Sequence, residues 1–383
     1  MNIISIVGTR PNFVKIAPLL RAIDRHNQTT SQQSPTISNL LVHTGQHYDF
    51  GMSKVFFKDL DMPEPDMCLG VDSGTHAEQT GKMMIALEKV LVEHKPDVVV
   101  LVGDVNSTLA GALTAAKLHI PITHIEAGLR LFDKTVPEEV NRLLTDTVSD
   151  CLLTHSVDAT ENLVNEGISQ EKIYFVGNIM IDSLLYKEKE ARRRNVSSRM
   201  RLQNGTYGVL TLHRPENVDD EKKLTPIISA LKEISRHTPI IFPCHPRTRK
   251  MIKQYGLTPY FKLQEEDHHE DNRDKNAIHL IAPLGYLDFL NLMINSKFII
   301  TDSGGIQEET TILNVPCLTL RNSTERPVTV REGTNILVGK DFDRMKIEVS
   351  DILNGKAKSG RFPELWDGRA AERIVAILAR IFS

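Results

Sequence analysis

Cysteine is scarce in this 383-residue chain: there are four, and no two form a CxxC pair. That excludes a zinc framework and a disulfide scaffold. Cys68, Cys151, Cys244 and Cys317 read as reduced, mostly buried thiols of a cytosolic protein. Cys244, in "FPCHPR", is the one candidate nucleophile, because a histidine follows it; a small hydrophobe ending a strand accounts for it equally well. Charge of one sign is also lacking. A net charge of −3 gives no electrostatic argument for nucleic acid or a membrane surface as partner, although a local basic pocket for a small anion stays open. No apolar run approaches the ~20 residues of a membrane-spanning helix. The stretch "MNIISIVGTRPNFVK" lacks the basic start, long apolar core and cleavage site of a signal peptide, so a cytoplasmic location is expected. There is no Walker loop and no GxGxxG, hence no motif support for ATP or nicotinamide, and no cofactor or metal is expected. Short repeats and low-complexity tracts are absent too.

What is present is a rhythm. "NIISIVG", "LLVHTG", "DVVVLVG", "PITHIEAG" and "CLLTHS" read as strands, and segments with apolar residues at helical spacing separate them. "DVVVLVG" is too apolar to have a wet face and belongs inside a parallel sheet. The long amphipathic helix "HAEQTGKMMIALEKVLVEHKP" is stopped by Pro96. The pattern restarts after "KIYFVGNIMIDSLLY", with "YGVLTLH", "TPIIFPCHP", "AIHLIAP", "KFIITDSGG" and "VPCLTLR" as strands. The predicted fold is α/β: two doubly wound Rossmann-like domains with a cleft between them. Residues 1–176 form the first and 177–365 the second, with a terminal helix at about 366–383 packing back on the first. "LQEEDHHEDNRDKN" reads as a solvated acidic loop whose paired histidines are no metal site.

In open α/β sheets ligands sit outside the carboxyl ends of strands, so five loops matter. "VGTRPNFVK" offers backbone N–H groups, Arg10 and Lys15 to an anion such as a diphosphate; a tight turn with a surface arginine is the plainer alternative. In "LVGDVNSTLAG", Asp104 or Asn106 suits a cap on the next helix, a role worth about 1 kcal/mol, and Asp104 also suits a carboxylate pointing into the cleft; the two readings are compatible. In "HIEAGLRLFDKTVPEEVNR", Glu126 ends a strand and needs a partner or a function. Pro137 fits a first helical position and puts Glu138 and Glu139 in the first turn, where the helix dipole favours them. Arg142 lies four residues after Glu138 and can pair with it. "LTLHRPEN" places His213 and Arg214 after a strand, where a histidine serves as acid, base or phosphate donor. "IITDSGGIQEET" suits a nucleotide: Ser303, Gly304 and Gly305 approach a phosphate, and a nearby glutamate suits ribose hydroxyls.

Taken together, "GTRPNFVK", "GDVNST", "HIEAGLR", "PEEVNR", "HRPEN", "DSGGIQEE" and "TERP" resemble the non-hydrolysing UDP-N-acetylglucosamine 2-epimerase family, nearly end to end and in order. The resemblance implies a fold like that of the GT-B glycosyltransferases and a UDP-sugar as substrate. It implies interconversion of UDP-GlcNAc and UDP-ManNAc by elimination of UDP, through a 2-acetamidoglucal, and re-addition. By the same resemblance Asp104, Glu126, Glu138 and His213 are catalytic, and Glu138 rather than Glu139 is the chemical member of its pair. Arg10, Lys15, Ser303, Gly304, Gly305, Glu309 and Arg326 bind the nucleotide, with Phe289 near the uracil. No cofactor is implied; a homodimer and a role in polysaccharide biosynthesis are. Lys82 stands where members regulated by UDP-GlcNAc carry arginine, which argues against allosteric control. "HTGQHYDFGMSKVFF" looks closer to relatives that act on other 2-acetamido sugars, including UDP-2,3-diacetamido-glucuronate. A hydrolysing epimerase and a GT-B glycosyltransferase are the further alternatives.

Overall fold

The structure is a computed structural model that describes residues 1–29, 36–45, 50–263 and 276–382, the side chains of 50–54 excepted. The acidic stretch 264–275 and residues 46–49 of "HTGQHYDF" lie outside the described residues. The chain divides into two compact units, residues 1–187 with 364–383, and residues 188–363.

The first unit is built on seven parallel strands: β1 (Asn2–Val7), β2 (Ser38–His43), β3 (Met67–Cys68), β4 (Val98–Val102), β5 (Ile122–Ala127), β6 (Cys151–Thr154) and β7 (Ile173–Phe175). Their order is β3-β2-β1-β4-β5-β6-β7. β4 is "VVVLV", buried at every position, because helices cover both faces of a central parallel strand and leave no room for polar alternation. The helix His76–His94 opens with a capping box, Thr75 and Glu78 satisfying each other's backbone N–H groups, and closes in a left-handed residue at Lys95, just before Pro96. Its Met83, Leu87, Val90 and Leu91 pack with Ile4, Ile6, Val99 and Leu101 into one core. The helix Ala370–Phe382 belongs to this unit, where Asp182 accepts the N–H groups of Ala370 and Ala371 at 3.1 and 2.8 Å.

The second unit repeats the plan with β8 (Gly208–Thr211), β9 (Ile240–Pro243), β10 (Phe261–Leu263), β11 (Ile278–Ile281), β12 (Phe298–Thr301), β13 (Cys317–Thr319) and β14 (Asn335–Leu337), all parallel. The order is β10-β11-β9-β8-β12-β13-β14. Phe242, Phe298, Ile240 and Leu231 anchor a separate core. Both units are therefore the predicted doubly wound α/β sheets. The strands that periodicity did not single out, β3, β7, β10 and β14, are two or three residues long and lie at sheet edges. Runs so short carry almost no pattern.

Sheet order also says where to look. In the first unit the winding reverses between β1 and β4, and in the second between β8 and β12. At such switch points adjacent loops part and leave a crevice. The loops concerned are "GTRPN" and "GDVNS" in one unit, "LHRPEN" and "DSGG" in the other.

Candidate active site

In the first unit the turn after β1 is organised from within. Asn12 accepts the N–H groups of Gly8 and Thr9 at 3.1 and 3.0 Å and donates to the Val102 carbonyl at 2.9 Å, stitching the β1 turn to the end of β4. The N–H groups expected to meet an anion are thus taken by Asn12, which leaves the Arg10 guanidinium as the cationic element of that turn. Arg10 begins the helix Arg10–Thr29 and lies 5.7 Å from the Phe56 ring centroid. Lys15, one turn further, is buried and ion-paired with Glu126.

Glu126 is the most unusual residue of the sheet. It has φ +74°, in the left-handed region, and the β5–β6 register slips between Ile125 and Ala127. A non-glycine residue held there costs roughly 1–2 kcal/mol, and a bulge re-aims the side chain at that point. Glu126 is 6% exposed, and the Lys15 ammonium meets the need for a partner that the sequence raised.

Asp104 is not a helix cap, and neither is Asn106. The helix Asn106–Lys117 is capped by Val105 without a side-chain bond, and the Asp104 carboxylate instead accepts from Arg142. Arg142 does not pair with Glu138 either. It reaches Glu139 through Nε and Nη2 at 3.0 and 2.8 Å, and Asp104 through Nη1. The reason is helical geometry. On Pro137–Val148 the buried residues Glu139, Arg142 and Asp146 share one face, whereas Glu138 is exposed on another. Glu139 also accepts the N–H groups of Leu131 and Phe132, at 2.8 Å for the latter, so its lone pairs are committed to structure. Among the described residues Glu138 makes no such bonds.

In the second unit His213 stands 45% exposed beyond β8, with Nδ1 2.8 Å from the fully buried Asp302. Asp302 is the hub of the switch point. It accepts the backbone N–H groups of His213 and Arg214, at 3.1 and 2.9 Å, and the Asn217 amide at 3.2 Å. Burial alone would push its carboxyl up, but the facing His213 charge and these donors outweigh it and hold the group below the usual carboxylate range.

Ser303 is the N-cap of the helix Gly304–Leu313. A Cβ on Gly304 would fall 2.5 Å from Arg326 Nη1, so the close approach that "DSGG" advertises is partly to the protein's own guanidinium. Gly305 follows within the first turn. Arg326 pairs with Glu308 at 2.9 Å and with Glu325. Arg321 lies 2.7 Å and Arg214 3.9 Å from Glu325. Three guanidinium groups thus meet two carboxylates beside a helix N-terminus, a cationic surplus suited to an anion. Glu309 is buried and accepts from the Tyr286 hydroxyl at 3.1 Å. Burial, reinforced by neighbouring Glu308, pushes its carboxyl up to about 7 against the Tyr286 bond. Phe289 is half-buried in the first turn of Tyr286–Ile294, the same helix that supplies Tyr286.

Cys244 is no nucleophile. It is buried, desolvation pushes its thiol up to about 12, and His245 Nδ1 accepts the Arg247 N–H at 3.2 Å. Asp302, Glu325, Arg321, Asp146 and His124 escaped the reading of the sequence. Only His124, a histidine inside the otherwise buried run "ITHIE", left a local signal.

Two Rossmann-like units of this kind, with carboxylates at one switch point and arginines beside a glycine-rich helix start at the other, define a GT-B-like fold whose second unit suits an anionic, phosphate-bearing ligand. The comparisons narrow that class. Residues 29–379 match the sequence profile of UDP-N-acetylglucosamine 2-epimerases. The chain is 44% identical over 383 residues, 99% of each protein, to the UDP-N-acetylglucosamine 2-epimerase of Methanocaldococcus jannaschii. The crystal structure of that enzyme in complex with UDP-GlcNAc and UDP matches with a TM-score of 0.87 at 44% identity, covering 99% of this chain and 100% of the other. The UDP-2,3-diacetamido-2,3-dideoxy-D-glucuronate 2-epimerase of Pseudomonas aeruginosa is 41% identical over 384 residues, 100% of both chains. This chain belongs to the UDP-N-acetylglucosamine 2-epimerase family.

Proposed function

We propose that the protein reversibly epimerises C2 of UDP-N-acetylglucosamine, giving UDP-N-acetylmannosamine, without net hydrolysis. The observation that carries the reading is full-length similarity to a structure holding UDP-GlcNAc and UDP, in a chain whose Glu126 is forced into a left-handed backbone at a strand end. A carboxylate takes the C2 proton while the C1–O bond to UDP breaks, its electron pair leaving with UDP and a C1=C2 double bond forming. Re-addition of UDP, with a proton delivered to the opposite face of C2, completes the change. We assign the proton transfers at C2 to Glu126 and Glu138 and place Asp104, oriented by Arg142, beside the reacting sugar. His213, its ring held by Asp302, with Arg10, meets the charge that develops on the departing diphosphate. Ser303, Gly304, Gly305 and Arg326 hold the phosphates, Glu309 the ribose and Phe289 the uracil. Lys15 holds Glu126 and adds positive charge near the nucleotide.

The 41% relative that acts on a diacetamido-glucuronate supports a second reading, in which the sugar carries further substituents. Incubation with UDP-GlcNAc in D₂O, followed by NMR, tests the first: deuterium at C2, a UDP-ManNAc signal and no accumulating free UDP are expected. Stoichiometric free UDP would indicate a hydrolysing enzyme. Exchange seen only with the diacetamido sugar would transfer the reaction to that substrate, and binding without exchange on either would refute it.

A further inference from the structure

Behind the carboxylates of the first unit lies a buried chain of contacts that the reaction scheme does not use. His124 sits in the middle of β5 with no exposed surface. Its Nε2 lies 2.8 Å from the carbonyl oxygen of Gly103, the residue before Asp104, and its Nδ1 lies 2.6 Å from Asp146 Oδ1. A carbonyl only accepts, so Nε2 donates to Gly103, and Nδ1 shares a hydrogen with the Asp146 carboxyl. Asp146 Oδ2 accepts the Gly128 N–H at 3.0 Å and the Arg130 Nη1 at 2.7 Å. Arg130 is tied in turn to Glu166 by two bonds of 2.7 and 2.6 Å. Burial would push the Asp146 carboxyl up; the His124 and Arg130 charges outweigh it and hold it low.

The chain grips Gly103 and Gly128, which flank Asp104 and Glu126, at a place where the backbone is in the left-handed region. Gly103, Glu126 and Gly128 have φ of +71°, +74° and +82°. Gly128 admits nothing larger, because a Cβ there would stand 2.2 Å from the Ala159 carbonyl. One link fixes the peptide before Asp104 and the other fixes the turn after Glu126. Asp146 also lies one turn beyond Arg142, which holds the Asp104 carboxylate itself. We infer that Asp146, acting through His124 and the Gly128 N–H, is a positioning residue that sets Asp104 and Glu126 relative to each other. Neither Asp146 nor His124 touches substrate. The role rests on the proposed C2 epimerisation.

The test compares wild type with Asp146→Ala, Asp146→Asn and His124→Phe in the full-length protein. The readouts are kcat and KM for UDP-GlcNAc, C2 exchange in D₂O, UDP affinity by calorimetry, and melting temperature. A small displacement of a reacting group costs on the order of 100-fold in rate. Asp146→Ala and His124→Phe should therefore lower kcat and exchange by roughly 10- to 100-fold, with UDP affinity within about threefold of wild type. Asparagine can accept from Gly128 and donate to His124 Nδ1, leaving Nε2–H on Gly103. Asp146→Asn should accordingly recover most of the rate. Folded Asp146→Ala or His124→Phe protein with kcat within about twofold of wild type would overturn the role. So would a fall in melting temperature and UDP affinity that leaves kcat intact, or an Asp146→Asn variant as slow as the alanine. If Asp146→Ala does not fold, His124→Phe and Asp146→Asn decide by the same criteria. A wild type that binds UDP-GlcNAc or the diacetamido sugar nucleotide but shows exchange with neither would overturn the epimerisation reading and this role with it; active wild type with indifferent variants overturns the positioning role alone.

Discussion

His124 in the first unit is wholly buried with an acceptor on each ring nitrogen, whereas His213 in the second has one nitrogen on Asp302 and stands 45% exposed. Both couples join a histidine to a buried aspartate whose carboxyl is held low, and both sit behind strand ends at or beside a switch point. The difference lies in what the second nitrogen meets. His124 Nε2 meets the Gly103 carbonyl, so both nitrogens of that ring are engaged and it transmits position. Among the described residues His213 makes no second ring hydrogen bond, so that ring has an edge from which a proton or a hydrogen bond can be given. The same pair of residue types is thus a brace in one unit and a chemical group in the other, and exposure separates them.

The sharpest way to break this comparison is His213→Ala. It should lower kcat by about 10²- to 10⁴-fold, the range for a positioned acid–base or donor group. Because its removal also takes a partner from the fully buried Asp302, denaturant unfolding should lose about 1–3 kcal/mol, a smaller effect than the loss of rate. A large loss of stability with little loss of rate would make His213 a second brace. Asp302→Asn comes next. It removes the charge facing His213 but keeps an acceptor for the backbone N–H groups. A kcat reduced by roughly 10- to 100-fold is expected, with a changed pH–rate profile measured by steady-state kinetics. An unaltered profile would deny the coupling.

Glu138 and Glu139 extend the contrast to neighbours in sequence. Glu139→Gln breaks a buried ion pair with Arg142 and should cost about 3 kcal/mol in chemical denaturation. Glu138→Gln should leave stability unchanged and abolish C2 exchange while UDP still binds. Reversal of the two outcomes would exchange their roles.

The smallest effect concerns pH. Glu309 has its carboxyl raised by burial from 4.5 to about 7. Its contribution to stability is therefore fully present below pH 4.5 and lost as pH rises through about 7. The loss is on the order of 3 kcal/mol at most. Urea unfolding of wild type and Glu309→Gln at pH 5 and pH 8 should show the decline in wild type and a flatter response in the variant. Asp146 and Asp302 carry the opposite sign. Held below the ordinary 3.8, they contribute stability above that pH and lose it as pH falls through their folded values. Equal pH dependence in wild type and Glu309→Gln would remove Glu309 from this account.

Much of the molecule was legible because its signals are local. "DVVVLVG" could only be a strand covered on both faces, and β4 is buried at all five positions. Pro137 at a helix start put two glutamates in the first turn, where they are found. The pairing of those glutamates was not legible. Arg142 was open to Glu138 by its spacing of four, but Glu139 is the one that shares its buried face. The short edge strands β3, β7, β10 and β14 also escaped, since two or three residues cannot display a period.

The sequence by itself determined the alternation of strand and helix, the loops that carry chemistry and the family they resemble. Each of these is written in runs of about ten residues, where side-chain periodicity and turn chemistry act. Only the tertiary structure decided that Glu126 is twisted into the left-handed region with Lys15 as partner, that Arg142 serves Asp104 and Glu139, and that Asp302 holds His213. His213 and Asp302 are 89 positions apart, and Lys15 and Glu126 are 111. Such pairs meet because sheet order brings β8 beside β12, and because the turns that end the neighbouring strands β1, β4 and β5 lie together at the carboxyl end of the first sheet. Strand neighbours are chosen by how the whole core is buried, and no local stretch of sequence contains that choice.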